Sequence, residues 1–153
     1  GGKERYHSVY EGLKACPDAA YVFIHDGARP LVDQETLMRA YTAVQACDAC
    51  VVGMPSKDTV KIADEDGFIR STPERRALWN VQTPQVFERG LYRRAVKAAS
   101  EKGLNFTDDC QLVERLGGRV YLVEADYTNM KITTPEDLCL AEALLRRREE
   151  NAQ

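Results

Sequence analysis

Tyr21-Val22-Phe23-Ile24 runs straight into His25-Asp26-Gly27-Ala28-Arg29-Pro30. Four apolar residues bounded by a turn-forming stretch read as a buried strand. An acid, two small residues, a guanidinium and a proline then follow its end. Open α/β sheets bind ligands just outside the carboxyl ends of their strands, so residues 25–30 stand where a ligand is expected. Asp26 offers oxygens to a hydroxyl or a hard metal ion. Gly27 and Ala28 let a ligand approach the backbone, and the planar fork of Arg29 suits a phosphate. The same residues also read as a strand end with a capping acid and a surface arginine. The hexapeptide alone leaves both readings open.

Working outward, Arg5 to Ala15 has helical periodicity through Val9, Leu13 and Ala15. Asp33 caps a helix reaching about Ala46, with Leu37, Ala40, Tyr41 and Val44 as its inner stripe. Ala49–Met54 is a second apolar strand, stopped by Pro55. Between Ser56 and Thr72 the pattern changes. Thr59-Val60-Lys61-Ile62 alternates, Asp64-Glu65-Asp66-Gly67 turns and Phe68-Ile69-Arg70 returns, which is a β-hairpin. With so few apolar residues an isolated hairpin is marginal, and it is expected to lean on something outside its own domain.

Trp79–Phe87 reads as an extended loop around Pro84. A helix follows from Arg89 to about Lys102, stopped by Gly103. Thr107-Asp108-Asp109 starts another, ended by Gly117-Gly118, and Arg119–Glu124 is a strand. Helix capping explains that Thr-Asp-Asp run better than a metal cluster does, because acids suit a helix N-terminus. Thr134-Pro135-Glu136-Asp137 opens a last helix with an N-cap, a proline at its first position and an acid in its first turn. That helix is expected to end at the basic Arg146–Arg148, with a frayed tail beyond. Strands alternating with helices around one inserted hairpin define a three-layer α/β sandwich with a mostly parallel sheet. Residues 1–153 form one domain, with the arm at 56–72 inserted in it.

The composition is that of an ordinary globular chain, 44% hydrophobic and 29% charged. No apolar run reaches the roughly 20 residues of a membrane span, and no signal peptide opens the chain. A net charge of -3 argues against non-specific nucleic-acid binding. Any anion site must be a local basic cluster. Cys16, Cys47, Cys50, Cys110 and Cys139 are odd in number and scattered, which reads as buried free thiols in a reducing cytoplasm. Cys47-Asp48-Ala49-Cys50 has metal-knuckle spacing without a second pair, and His7 and His25 have no partners at metal spacing.

Seven segments together resemble one family. They are Gly1-Gly2-Lys3-Glu4-Arg5 with Ser8-Val9, His25-Asp26-Gly27-Ala28-Arg29-Pro30, Lys57-Asp58-Thr59-Val60-Lys61, Arg75 through Leu78-Trp79, Gln82-Thr83-Pro84-Gln85-Val86-Phe87, Thr107-Asp108-Asp109, and Asn129-Met130-Lys131-Ile132-Thr133-Thr134-Pro135-Glu136-Asp137-Leu138. In this order they are similar to the 2-C-methyl-D-erythritol 4-phosphate cytidylyltransferases, bacterial and plastid enzymes of isoprenoid synthesis. The resemblance implies a Rossmann-like nucleotidyltransferase fold and transfer of a cytidylyl group from CTP to a polyol phosphate, releasing pyrophosphate, with Mg²⁺. The family's opening strand and Gly-rich triphosphate loop have no counterpart in the chain, which implies a C-terminal two-thirds with little activity alone. Gly27 stands where the family usually has Ala.

By this resemblance Gly2 and Ser8 lie against the cytosine. Asp26 meets the nucleotide ribose or the metal, Arg29 and Thr83 contact the polyol, and Lys131 neutralises phosphates. Thr59 and Arg75 flank the hairpin, which the resemblance makes an arm reaching across a homodimer, so that both serve the partner's site. Arg75 and Lys131 are the expected catalytic cations. The expected place is the bacterial cytoplasm, with no membrane or nucleic-acid partner. A ribitol-5-phosphate cytidylyltransferase and a non-catalytic dimerising fragment are the competing readings. The methylerythritol enzyme is favoured over the first by the His-Asp-Gly-Ala-Arg-Pro and Thr-Thr-Pro-Glu-Asp-Leu runs.

Overall fold

The computed structural model describes residues 5–102, 106 and 108–151. Along the chain run α1 (Arg5–Lys14), β1 (Tyr21–Ile24), α2 (Gln34–Cys47), β2 (Ala49–Pro55), β3 (Ile62–Ala63), β4 (Ile69–Ser71), a 3-10 turn (Arg75–Ala77), β5 (Trp79–Glu88), α3 (Arg89–Lys102), α4 (Cys110–Arg115), β6 (Tyr121–Glu124) and α5 (Pro135–Asn151). Four strands make one sheet in the order β1-β5-β2-β6. β5 pairs antiparallel with both β1 and β2, whereas β6 pairs parallel with β2. Three of the four strands therefore point the same way, with β5 reversed between two of them.

Side chains alternate across β2, and each set meets a different helical layer. Ala49 and Val51 join Phe87, Tyr92, Val96 and Val113 on the face covered by α3 and α4, with Leu13 of α1 in the same core. The Phe87 and Tyr92 rings stack there at 5.0 Å. Cys50 and Val52 join Ala40, Val44, Val86 and Val123 on the α2 face. The three layers expected from the alternation are present.

Several elements differ from expectation. Trp79–Phe87 is no loop: it belongs to β5, ten residues long and central in the sheet. Pro84 argues against a central strand because it cannot donate to a ladder. Here the register against β2 jumps between Val51↔Gln85 and Gly53↔Val81, and Pro84 lies in the irregular stretch. Its missing N–H therefore costs no ladder bond. The Thr83–Pro84 peptide is cis. β1 is not fully buried either: among the described residues it pairs only with β5, and Phe23 is 40% exposed.

α2 starts as expected, with Asp33 Oδ1 accepting from the Thr36 N–H at 2.6 Å. Its buried stripe is Thr36, Ala40 and Val44. Tyr41 is exposed and stands edge-on to Tyr21, with 5.9 Å between ring centroids. Asp108 caps α4 by accepting from the Gln111 N–H, whereas Asp109 is buried and accepts from the Tyr92 hydroxyl. Thr107 lies outside the described residues. α5 continues through Asn151 instead of fraying after Arg148. Arg148 faces inward and donates to Leu31 O at 2.6 Å and Thr128 Oγ1 at 3.2 Å, tying the helix to two loops.

The hairpin exists but its strands are shorter than expected, since Thr59, Val60 and Lys61 lie outside β3. Gly67 takes a left-handed φ of 86° in the turn, where Asp64 Oδ1 accepts from the Phe68 N–H. All five strand residues are exposed. The cysteines also depart from expectation: Cys50 and Cys110 are buried, Cys47 is half-buried, and Cys16 and Cys139 are exposed. All five are free thiols. No described helix is long and apolar enough to cross a membrane.

Candidate functional site

The residues after β1 fold back as a turn in which the Arg29 N–H donates to Asp26 O at 2.9 Å. The segment before α5 packs against this turn, with the Ile132 N–H donating to Ala28 O at 2.8 Å. Arg29 Nη1 reaches across to Asn129 O at 2.9 Å. Asn129, 2% exposed, clasps the third element by donating through Nδ2 to Gln82 Oε1 and to Thr83 O of β5. Thr83 Oγ1 accepts from the Asp26 N–H at 3.0 Å and lies 2.9 Å from His25 Nδ1. Three segments far apart in sequence thus close on one point.

Asp26 sits at the centre of the charges. Its Oδ2 lies 3.1 Å from Lys131 Nζ and 3.5 Å from Arg29 Nε. Burial lowers the Arg29 pKa, and the neighbouring Asp26 carboxylate opposes that shift. The side chain of Lys131 is 47% exposed, against 12% for Arg29. The lysine is therefore the cation with room to turn toward a ligand. Beside this cluster opens a cleft of about 320 Å³ lined by Asp26, Arg29, Val81, Gln82, Thr83, Gln85, Asp108 and Lys131.

Four of the expected site residues, Asp26, Arg29, Thr83 and Lys131, therefore meet around one cleft. Thr59, before β3, and Arg75, in the 3-10 turn after β4, are exposed, and neither lines the cleft of its own chain. Arg75 Nη1 approaches Lys57 O at 3.4 Å. Ser8 is exposed on α1 and does not line the cleft, and Gly2 lies outside the described residues. Gln82, Gln85 and Asp108 line the cleft although the sequence does not single them out as ligand-facing, and Asn129 holds its parts together. The sequence signal for these was present: Gln82 and Gln85 flank Thr83-Pro84, and Asn129 precedes Lys131 by two residues.

Among the described residues no group of three or more His, Cys, Asp or Glu side chains gathers as a metal site. Two carboxylates, Asp26 and Asp108, border the cleft. That donor set fits Mg²⁺, which takes one or two protein carboxylates and completes its shell with water and phosphate oxygens. Cys47 and Cys50 are occupied otherwise: their thiols donate to Ala43 O and Ala40 O. A larger groove of about 970 Å³ runs between α2 and β6 beside Met38, Trp79 and Tyr121. Its lining is mainly apolar, and Glu35 and Arg39 in it pair with each other at 3.9 Å. Convergent charge singles out the smaller cleft.

Residues 1–147 match the family model described as 2-C-methyl-D-erythritol 4-phosphate cytidylyltransferase. A curated relative of that name from Caldanaerobacter subterraneus subsp. tengcongensis is 55% identical over 96% of this chain and 65% of its own length. Another from Lachnoclostridium phytofermentans is 51% identical over 95% of this chain and 64% of its own. The chain thus spans just under two thirds of the length of these relatives. The crystal structure of the enzyme of that name from Thermus thermophilus superposes with a TM-score of 0.86 at 42% identity, covering 95% of this chain and 71% of that one. The 4-diphosphocytidyl-2C-methyl-D-erythritol synthase of Anaerococcus prevotii superposes with a TM-score of 0.89 at 38% identity, covering 95% and 68%. With the expected motifs in order, the expected layers and this depth of similarity, the chain belongs to the 2-C-methyl-D-erythritol 4-phosphate cytidylyltransferase family.

Proposed function

We propose that the protein transfers the cytidylyl group of CTP to 2-C-methyl-D-erythritol 4-phosphate and releases pyrophosphate. The observation that carries this reading is the meeting of Asp26, Arg29, Lys131 and Thr83 around one polar cleft at the carboxyl end of β1. The substrate phosphate attacks the α-phosphorus in line, so the protein's part is positioning and charge neutralisation. Lys131, held at 3.1 Å by Asp26, exchanges that carboxylate for phosphate oxygens as the ligands enter. Arg29 is pinned to Asn129 O and presents its remaining donors to the polyol. Asp26 and Asp108 are the protein oxygens that would hold Mg²⁺, which would add charge neutralisation on the phosphates.

Thr59 and Arg75 act in the partner's cleft of a two-fold dimer. Their exposure and their absence from the lining of their own chain's cleft support this assignment. Gly2 and Ser8 belong to the cytosine side. CTP chemistry and the bacterial relatives support a cytoplasmic setting.

The test is pyrophosphate release from CTP, methylerythritol phosphate and Mg²⁺, using the chain extended to the length of its relatives. We expect turnover that ribitol 5-phosphate does not match. Lys131→Ala should raise the requirement for both substrates. A preference for ribitol phosphate, or no turnover with either, overturns the reading.

A further inference from the structure

His25 makes two contacts whose chemistry settles where protons lie. Its Nε2 is 2.9 Å from Arg29 O, and its Nδ1 is 2.9 Å from Thr83 Oγ1. A carbonyl oxygen only accepts, so Nε2 carries a proton. In the neutral ring Nδ1 is then bare and must accept. The one proton of the Thr83 hydroxyl goes to it. Thr83 Oγ1 has two lone pairs, and one already accepts from the Asp26 N–H at 3.0 Å. What the hydroxyl has left for the cleft is a single acceptor lone pair and no proton.

We propose that His25 is a positioning residue that turns Thr83 into an obligate acceptor, so that this corner of the cleft takes a ligand hydroxyl and turns away a phosphate oxygen. The inference rests on the polyol-phosphate reading of the cleft and adds an orientation to it. Lys131 and Arg29 form the donor side, which holds anionic or acceptor oxygens. Thr83 forms the acceptor side, which holds a hydroxyl proton. A polyol phosphate therefore has one favoured direction in the cleft. A free hydroxyl rotor at Thr83 would have donated equally well to a misplaced phosphate. The histidine also ties Arg29 O to β5 through Thr83, so the ring joins the turn to the strand that the ligand bridges.

Two measurements test this. The first reads the ring directly: long-range ¹H–¹⁵N spectra of the ¹⁵N-labelled protein at pH 8. The chain has only two histidines, His7 and His25, and His7→Gln assigns the signals. We expect His25 as the Nε2-protonated tautomer with a bare Nδ1. An Nδ1-protonated or doubly protonated ring overturns the proposal, whatever becomes of any variant.

The second uses the chain extended to the length of its relatives, after wild-type turnover of methylerythritol phosphate has been established. Absence of that turnover removes the functional reading and leaves the tautomer result standing, so the two failures are distinguishable. His25→Phe should raise KM for methylerythritol phosphate about tenfold, the scale of one lost hydrogen bond, and leave KM for CTP unchanged. His25→Asn, whose Oδ1 can stand in for Nδ1, should recover most of the loss. Thr83→Val, which removes the acceptor and also the partner of the Asp26 N–H, should raise that KM at least as far as His25→Phe, and adding His25→Phe to it should change nothing further. Equal effects on both substrates, or full additivity of the two changes, overturns the inference.

Discussion

Arg29 shows how one side chain can hold a site and serve it. It donates to Asn129 O, pairs with Asp26 and lines the cleft. Arg29→Ala would leave the carbonyl of buried Asn129 without this donor and the Asp26 carboxylate to Lys131. We expect a loss of about 1–3 kcal/mol in urea unfolding, since an orphaned buried acceptor carries its full desolvation penalty. An unchanged midpoint would show that water replaces the guanidinium. At Gly27 a Cβ built on the backbone meets nothing within 4 Å, so alanine fits there as well as glycine. The cysteines separate by environment. Burial pushes the Cys50 thiol up to about 12 with a smaller push from Cys47, and burial raises Cys110 as well. A thiol-reactive dye at pH 8 should label exposed Cys16 and Cys139 quickly, and Cys50 and Cys110 only after unfolding. Fast labelling of all five in the folded protein would contradict the packing around α2 and α4.

At the scale of elements, the start of α2 carries a prediction about pH. Burial pushes the Asp33 carboxyl up. The Thr36 hydrogen bonds and the nearby Arg148 and Arg39 pull it further down, leaving it below its ordinary 3.8. A carboxyl lowered in the folded state contributes stability at pH values above its unfolded pKa. That contribution is lost as pH falls through the folded value, so the window lies below about pH 4. Asp33→Asn keeps an acceptor for the Thr36 N–H without titrating. It should stay within about 0.5 kcal/mol of wild type at pH 7, whereas Asp33→Ala should cost about 1 kcal/mol. Between pH 6 and pH 3 the wild type should lose ground to the asparagine variant in urea unfolding. Parallel curves across that range would show that the cap does not depend on the charge.

At the scale of the molecule, the hairpin is the part that its own chain does least to support. Phe68 is 72% exposed and Ile69 64%, and a bare two-stranded hairpin is marginal in water. Exposed apolar groups clustered on one projection mark an interface, and a two-fold dimer buries the same patch twice. Replacing residues 58–72 with a short linker spares Ser56, whose N–H donates to Leu78 O at 2.8 Å and closes the base of the arm. By light scattering we expect a dimer for the intact chain and a monomer for this variant. A monomer at micromolar concentration with the arm in place would remove the arm's assigned role, and with it the assignment of Thr59 and Arg75 to a partner's cleft.

The sequence by itself determined the alternation of strands and helices, the caps at Asp33 and Thr134, the inserted hairpin, and four residues of the cleft. Each of these is a local matter. Periodicity, capping chemistry and turn residues act within a few positions, and the motifs that carry the family resemblance are short and contiguous. The tertiary structure alone decided what depends on neighbours distant in the chain. Trp79–Glu88 is the strand between β1 and β2 because its ladder bonds lie on either side of the irregularity at Pro84. β1 is half-buried because of its position in the sheet, although its composition is that of a buried strand. Arg148 crosses to Leu31 instead of merely complementing a helix dipole, and Asp109 turns inward to Tyr92 instead of capping. Likewise, Asn129 clasping Gln82 and Thr83, and His25 meeting Thr83, join residues 46 to 58 positions apart. A hydrogen bond between such residues has no periodicity to announce it: both partners look like ordinary polar residues until the backbone brings them within about 3 Å.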